Sequence, residues 1–404
     1  MLNHRPILDR RRFLQAGLIG MTGVVMGERV ELPFENGHRP LVKYPQKRPL
    51  IRLTARPPQL ETPFSVFNES LLTPNDAFFV RYHLGGAPPP ASVLDTTVFR
   101  LTVSGSVGRS LTFSLDELKA QFETVEIVAV NQCSGNSRGY FTPRVPGGQL
   151  GHGAMGCARW TGVRLADLLK AAELSVGAKQ VVFDGMDRPL LAGIPDFVKA
   201  LSLDQALNSD VLLAWAMNGE ALPWLNGFPL RLVLPGHYGT YWVKHLHSIR
   251  VVDEEFKGFW MSPAYRIPED PCAHVLPGTP PGRTIPISRF NVRSFLTSHL
   301  EGQTIRSGHD SILRGIAFDG GSGISEVLVS TDEGSNWRGA ELGRDFGRFA
   351  FREWTLAWRP KGVNSCSIRV RAMNRLGESQ PLEPLWNPAG YMRNVVEKTS
   401  LKLI

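Results

Sequence analysis

The chain has few cysteines, no long apolar run and no block of like charge, and each scarcity closes off a class of protein. Its 404 residues hold only four cysteines, Cys133, Cys157, Cys272 and Cys366, and none stands in a C-x-x-C pair. That spacing excludes a zinc ribbon and a haem-attachment site of the C-x-x-C-H type. If one cysteine serves as a ligand, at most one disulfide can form among the other three, and buried thiols are their default. Apart from a short N-terminal stretch, nothing approaches the length of apolar sequence that a membrane span needs. No segment interleaves Lys/Arg with aromatics as a nucleic-acid-binding face would. The formal charge is +8, and the first 29 residues hold an excess of three through Arg5, Arg10, Arg11, Arg12 and Arg29 against Asp9 and Glu28. The remaining charge, about +5, suits attraction of small anions and equally suits ordinary solubility.

What is present describes a globular protein, with 42% apolar and 20% charged residues. The length calls for two domains. Glycine (40) and proline (30) are plentiful, which favours loops and short strands over long helices. At the N-terminus, Asp9-Arg10-Arg11-Arg12-Phe13-Leu14-Gln15 precedes a modest apolar stretch over residues 16–27. This reads as a twin-arginine signal peptide over residues 1–29 and predicts a periplasmic protein exported in folded form.

An irregular, proline-rich lead-in over residues 40–63 gives way to alternation at Val98-Phe99-Arg100-Leu101-Thr102-Val103, a predicted strand. Ser114-Leu115-Asp116-Glu117 has capping-box spacing and opens a short helix through residue 122. A β-branched run over residues 125–130 predicts a buried strand that delivers Cys133 at its C-terminal end, with a long glycine-rich loop following over 134–156. Apolar residues on a 3–4 period predict a helix over 163–174. Further strands are expected at 181–183, 211–217, 230–234 and 241–252. This mixture, without a regular βαβ repeat, predicts an α+β domain over residues 45–266. Pro268, Pro271, Pro277, Pro280, Pro281 and Pro286 make residues 267–286 a stiff linker. Beyond it, alternating runs at 312–318, 324–330, 349–358 and 366–372 surround a turn at Asp332-Glu333-Gly334-Ser335-Asn336. They predict an all-β sandwich of immunoglobulin type over residues 287–400.

Two segments concentrate chemistry. Asn131-Gln132-Cys133-Ser134-Gly135-Asn136-Ser137-Arg138-Gly139 puts a soft thiolate donor and a permanent cation five residues apart in a glycine-rich loop. A soft metal takes the first, and an anionic substrate beside it takes the second. Phe78-Phe79-Val80-Arg81-Tyr82-His83 adds another arginine and an imidazole on one face of an extended segment. Taken singly, a lone cysteine is most often a small buried hydrophobe, an arginine a solvated surface group, and a histidine a core residue bonded to backbone.

Together these segments resemble the sulfite oxidase family of molybdenum enzymes, most strongly its bacterial periplasmic sulfite dehydrogenases. The resemblance runs over about residues 45–400. It implies a sulfite-oxidase-type molybdopterin domain followed by an immunoglobulin-like dimerisation domain. It implies Cys133 as the molybdenum ligand, with Arg81 and Arg138 as substrate-pocket arginines and His83 in the pocket or at the cofactor. Gly258-Phe259-Trp260-Met261-Ser262-Pro263-Ala264-Tyr265-Arg266 resembles the segment bearing the family's active-site tyrosine, matched to Tyr265. An alternative alignment puts Phe256 there and removes the phenol. Phe228-Pro229-Leu230-Arg231-Leu232-Val233-Leu234-Pro235-Gly236 and Trp242-Val243-Lys244 resemble cofactor-binding segments. The implied pterin contacts are Phe79, Val80, Arg81, Tyr82, His83, Asp187, Asn226, Arg231, Gly239, Trp242, Val243 and Lys244. Without the resemblance, Arg231 in an apolar run reads as a snorkelling strand residue and Lys244 as an exposed one.

The sequence also departs from the family. Vertebrate members have histidine where Asn226 stands, and an arginine where Ala389 stands in Trp386-Asn387-Pro388-Ala389-Gly390. Losing that cation removes one contact to an anion. The resemblance implies oxidation of sulfite to sulfate at a molybdenum–molybdopterin centre, with no haem in this chain and electrons passed singly to an external c-type cytochrome. It implies a homodimer or a heterodimer with a cytochrome subunit. The rivals are a sulfane-sulfur dehydrogenase of the same family, a nitrate or sulfoxide reductase, and a non-catalytic exported binding protein.

Overall fold

The computed structural model of the chain describes residues 29–31, 38–86, 88–90, 94–362 and 364–404. Of the expected signal peptide, residues 1–28 lie outside the described residues. Two sheets shape the site-bearing part. The first is five-stranded, in the order Val198–Ser202, Gln180–Gly185, Leu246–Val252, Leu101–Gly105, Leu111–Phe113. It is antiparallel except where Leu246–Val252 runs parallel to Leu101–Gly105. The second runs Glu220–Ala221, Leu212–Met217, Met155–Arg164, Val125–Gln132, with Arg231–Val233 also paired to Leu212–Met217. A smaller antiparallel ladder ends in Val80–Arg81, paired with Gln59–Glu61.

The expected α+β character is realised with very little helix. Among the described residues the α-helices are Leu115–Gln121, Leu165–Ala171 and Leu203–Ala206, so the first domain is mostly β. The first of these closes its capping box as the sequence predicts: Glu117 N donates to Ser114 Oγ at 3.2 Å and Ser114 N to Glu117 Oε2 at 2.7 Å. The helix expected over 163–174 begins later, because Val163 and Arg164 belong to the long strand Met155–Arg164. Its period is right, since Leu165, Leu168, Leu169 and Ala172 are all buried. The strand expected over 241–252 starts only at Leu246: Gly239–Tyr241 is a 3₁₀ turn, and His245 takes φ 51°, outside the extended region. Trp242 and Val243 are apolar because the surrounding core buries them, not because they alternate across a sheet.

Residues 267–286 fold back on themselves, their ends pairing as Arg266–Pro268 against Thr284–Pro286. Beyond them lie two packed sheets. One orders Arg293–Leu296, Ser311–Phe318, Arg352–Trp358, Glu341–Leu342; the other Thr304–Ile305, Lys398–Leu403, Asn364–Asn374, Ile324–Ser330, Arg338–Gly339. Trp354, Leu313, Val327, Ile368 and Leu401 fill the space between them. Phe295, Phe318, Phe349 and Phe351 instead join the larger core that also holds Trp160, Phe78 and Phe183. A backbone bond, Val130 N to Phe349 O at 2.9 Å, ties the strand leading to Cys133 to this second part. Among the described residues no helix is long and apolar enough to cross a membrane.

Candidate active site

Cys133 follows the strand Val125–Gln132, whose antiparallel partner begins at Met155, so the loop between is a hairpin connection anchored at both ends. Cys133 N donates to Ala154 O at 2.9 Å across its base, Asn136 N to Cys133 O at 2.9 Å, and Ala154 N to Asn136 Oδ1 at 3.1 Å. Glu61 braces the same loop, accepting from Gly151 N at 3.0 Å and Gly153 N at 2.6 Å. Burial pushes the Glu61 carboxyl up to about 7 against those two bonds. Ser137 sits at φ 68° and bonds His152 Nδ1 at 2.6 Å, and Arg293 Nη2 from the C-terminal part donates to its hydroxyl at 2.8 Å.

The free thiol of Cys133 faces a cleft that opens to solvent. Its walls include Phe79, Arg81, Tyr82, His83, Asp187, Asn226, Arg231, Gly239, Trp242, Lys244 and Tyr265, residues far apart in sequence. Val80 and Val243 are not on the wall. Val80 packs in a small apolar cluster with Leu50, Leu60 and Leu225, and Val243 lies in the main core. Tyr265, not Phe256, meets the cavity.

Arg138 is not on the wall either. It runs beneath the Cys133 loop, donating from Nε to Ala389 O at 3.1 Å and from Nη1 to Gly148 O at 3.3 Å, with the Tyr391 ring centroid 5.0 Å away. A Cβ at Gly135 would stand 2.7 Å from its guanidinium atoms, so only glycine leaves it that berth. Tyr391 stacks on Tyr265 with centroids 5.5 Å apart and planes within 6°. The Tyr265 hydroxyl hydrogen-bonds His83 Nε2, and His83 stacks on Phe197 at 3.8 Å.

The rest of the lining is polar and rich in basic side chains. Arg231 donates from Nη1 to Asn226 O at 2.7 Å and from Nη2 to Trp242 O at 3.3 Å, with the Trp160 and Trp242 rings beside it. Asn226 donates to Phe79 O at 3.0 Å and accepts from Lys47 Nζ at 2.5 Å. Lys244 Nζ donates to Arg81 O at 2.7 Å and lies over the Tyr82 ring. Burial, with Arg231 and Arg81 added, drives the Lys244 pKa well below its ordinary value, while Asp187 opposes the shift. Burial raises Asp187 to about 6, with Lys244 opposing. His83 is held neutral by burial and by Arg81, Lys244 and Lys199, and burial raises the Tyr265 phenol above its usual range. The Tyr265–His83 pair is therefore uncharged at neutral pH.

Among the described residues, several polar atoms lining the cavity have no partner: Asn131 Oδ1, Ser134 Oγ, Thr240 Oγ1 and Arg231 Nε are buried and unbonded. Such groups are costly to leave unpaired and mark where a ligand bonds. A Cβ at Gly239 would come within 2.4 Å of Asn131 Oδ1, so the backbone there stays bare. Among the described residues no cluster of three His, Cys, Asp or Glu side chains is placed to hold a metal. A single thiol beside orphaned donors and cations suits a soft metal carried on a polar, anionic cofactor. Asn131, Ser134, Thr240 and Phe197 escape sequence reasoning. Asn131 and Ser134 flank Cys133 closely enough to have been suspected, whereas Thr240 and Phe197 carry no local signal.

Comparison with known proteins gives the same reading. The family described as "Oxidoreductase molybdopterin binding domain" matches residues 87–260, and "Mo-co oxidoreductase dimerisation domain" matches residues 284–403. The chain is 34% identical over 373 residues to mitochondrial sulfite oxidase of Homo sapiens, covering 88% of this chain and 66% of that one. It is 33% identical to sulfite oxidase of Gallus gallus, over 87% of this chain and 78% of the relative. It is 30% identical to that of Arabidopsis thaliana, over 89% and 95%. The chain thus spans about two thirds of the human protein and nearly all of the plant one. In fold it is similar to the sulfane dehydrogenase SoxCD from Paracoccus pantotrophus, with a TM-score of 0.72 and 23% identity over 93% of this chain and 88% of that one. With the thiol, the cavity and these relatives in agreement, the chain belongs to the sulfite oxidase family of molybdopterin-binding oxidoreductases.

Proposed function

We propose that this chain oxidises sulfite to sulfate at a molybdenum–molybdopterin centre whose protein ligand is Cys133, releasing electrons one at a time to an external c-type cytochrome. The observation that carries the reading is the meeting of the free Cys133 thiol, Arg81 and the Tyr265–His83 pair in one cavity that basic side chains and incompletely hydrogen-bonded polar atoms also line. In the overall reaction sulfite and water become sulfate, two protons and two electrons. When bound at Cys133, the molybdenum–molybdopterin group would supply the oxygen-transfer and two-electron redox chemistry. The chain's own residues do the rest. Arg231, Lys244, Asn226 and Asp187 hold the cofactor's polar end, aided by Asn131 and Thr240. Arg81 receives the anion's oxygens with a fork of donors that stays charged. Tyr265 presents a neutral hydroxyl whose direction His83 sets. Arg138 acts from below the loop, steadying Tyr391 and through it Tyr265.

The C-terminal sandwich reads as an immunoglobulin-type dimerisation element, in a homodimer or beside a cytochrome subunit. The twin-arginine segment reads as an export signal to the periplasm. The test uses protein made in a host that assembles the cofactor. The wild type is expected to hold about one molybdenum per chain and to reduce ferricyanide with sulfite. Cys133→Ser is expected to lose turnover by at least ~100-fold while keeping its circular dichroism and melting temperature. A metal-free wild type, or a fully active serine variant, sinks the reading. Oxidation of protein persulfides with no oxidation of sulfite moves it to sulfane-sulfur dehydrogenation.

A further inference from the structure

Lys199 is a buried ammonium without an acid. It lies in the strand Val198–Ser202, two residues beyond Phe197. Phe197 reaches the cavity wall, and Lys199 lies one layer deeper, with 1% of its surface exposed. Its Nζ donates to the Trp260 carbonyl and sits 4.9 Å from the Tyr265 ring centroid and 4.7 Å from that of Tyr241. None of the ion pairs among the described residues involves it. Burial pulls its pKa down to about 7, and no carboxylate offsets that. One carbonyl and two ring faces are thin compensation for a desolvated cation, and a buried lysine ordinarily has an acid beside it.

The charge is nonetheless felt at the cavity, because Lys199 is among the cations that hold His83 neutral. It also heads a file that ends beneath the thiol loop. Lys199 lies over Tyr265, Tyr265 stacks on Tyr391, and Tyr391 packs 5.0 Å from the Arg138 guanidinium. We propose that Lys199 is a positioning residue of the anion pocket, an ammonium seated beneath the Tyr265 ring whose counter-charge is the bound sulfite or sulfate. The proposal rests on the sulfite reading given above. A cation at the ring face holds Tyr265 in place and draws density from the phenol, which strengthens its O–H as a donor. The same cation adds positive potential behind a wall that excludes water.

The test is sulfate affinity of the molybdenum-loaded full chain by calorimetry, alongside KM and kcat for sulfite. Lys199→Met and Lys199→Gln are expected to weaken sulfate about tenfold and to raise the sulfite KM by a similar factor, with kcat held within about twofold. Molybdenum content should not change. Lys199→Arg keeps the charge and is expected to stay within about threefold of wild type. A role confined to packing would lower melting temperature and leave sulfate affinity alone. Unchanged affinity in a folded neutral variant overturns the proposal. Should neither neutral variant fold, wild-type sulfate affinity followed from about pH 6 to about pH 9 decides the matter. Tyr241, Tyr265 and His83 face Lys199 and are held neutral by burial. Lys47 beside Asn226 and Glu61 beneath the thiol loop also sit at about 7, so the part of a fall through about 7 that Lys199→Arg removes belongs to the lysine. Asp187 and Lys244 also line the cavity, and the Lys199→Arg profile, expected to fall less than wild type through about 7, controls for them. A flat wild-type profile overturns the proposal. A wild type that binds sulfate but does not oxidise sulfite sinks the reading of the reaction and leaves Lys199 standing.

Discussion

At the scale of single residues, the site depends as much on what is missing from a side chain as on what is present. Gly135 gives the Arg138 guanidinium its space, and the atoms that an added Cβ would meet are the far end of that flexible side chain. Gly135→Ala is therefore expected to cost under about 1 kcal/mol of stability yet raise the sulfite KM at least about tenfold, read by denaturant melts beside steady-state kinetics. Glu61 offers a test with a defined sign. Its folded pKa, about 7, lies above the ordinary 4.5, so the folded chain keeps a proton that the unfolded chain releases between those values. That stabilisation is complete below pH 4.5 and lost as pH rises through about 7. Stability should fall by roughly 3 kcal/mol across the window in wild type and by much less in Glu61→Gln, as measured by urea unfolding at several pH values. Cys133, Arg81 and Tyr265 were legible in the sequence because their chemistry is distinctive and sits in recognisable segments. Thr240 and Lys199 were not, since a buried hydroxyl without a partner, or an ammonium without an acid, becomes visible only when the neighbours are in place.

At the scale of elements, local rules located what local forces decide. The capping box at Ser114 and Glu117 marks a helix start that needs nothing from the rest of the chain. Ser114→Ala is expected to cost about 1 kcal/mol in thermal or chemical unfolding and to leave sulfite kinetics untouched. The strand before Cys133 was likewise legible, and it runs two residues past the β-branched stretch because Asn131 and Gln132 still pair with Gly156 and Met155. Elsewhere periodicity found the buried face and misjudged the element. Val163 extends an apolar helical pattern in sequence but belongs to a strand, since pairing with Leu213 outweighs its place in the pattern. The run from Tyr241 to Val243 is apolar through burial on all sides, a state in which alternation carries no information.

At the scale of the whole molecule, the two-part organisation was legible from composition, but the way the parts share the site was not. Arg293 is the clearest link: 1% exposed, it bonds Ser137 in the thiol loop and pairs with Glu397 at 3.3 Å. Arg293→Met is expected to destabilise the chain by about 3 kcal/mol, because Glu397 is left to Arg393 alone, and to lower molybdenum retention in parallel. Chemical denaturation and metal analysis on the same preparation check both. Order of maturation follows from the same contact. During synthesis the thiol loop and the strand before it emerge long before Arg293, Phe349, Ala389 and Tyr391, which contact them in the finished fold. A ribosome-bound fragment ending at residue 286 would carry the ligand sulfur on an unsupported loop. Insertion of the cofactor is thus expected to be the last step, performed on a finished polypeptide.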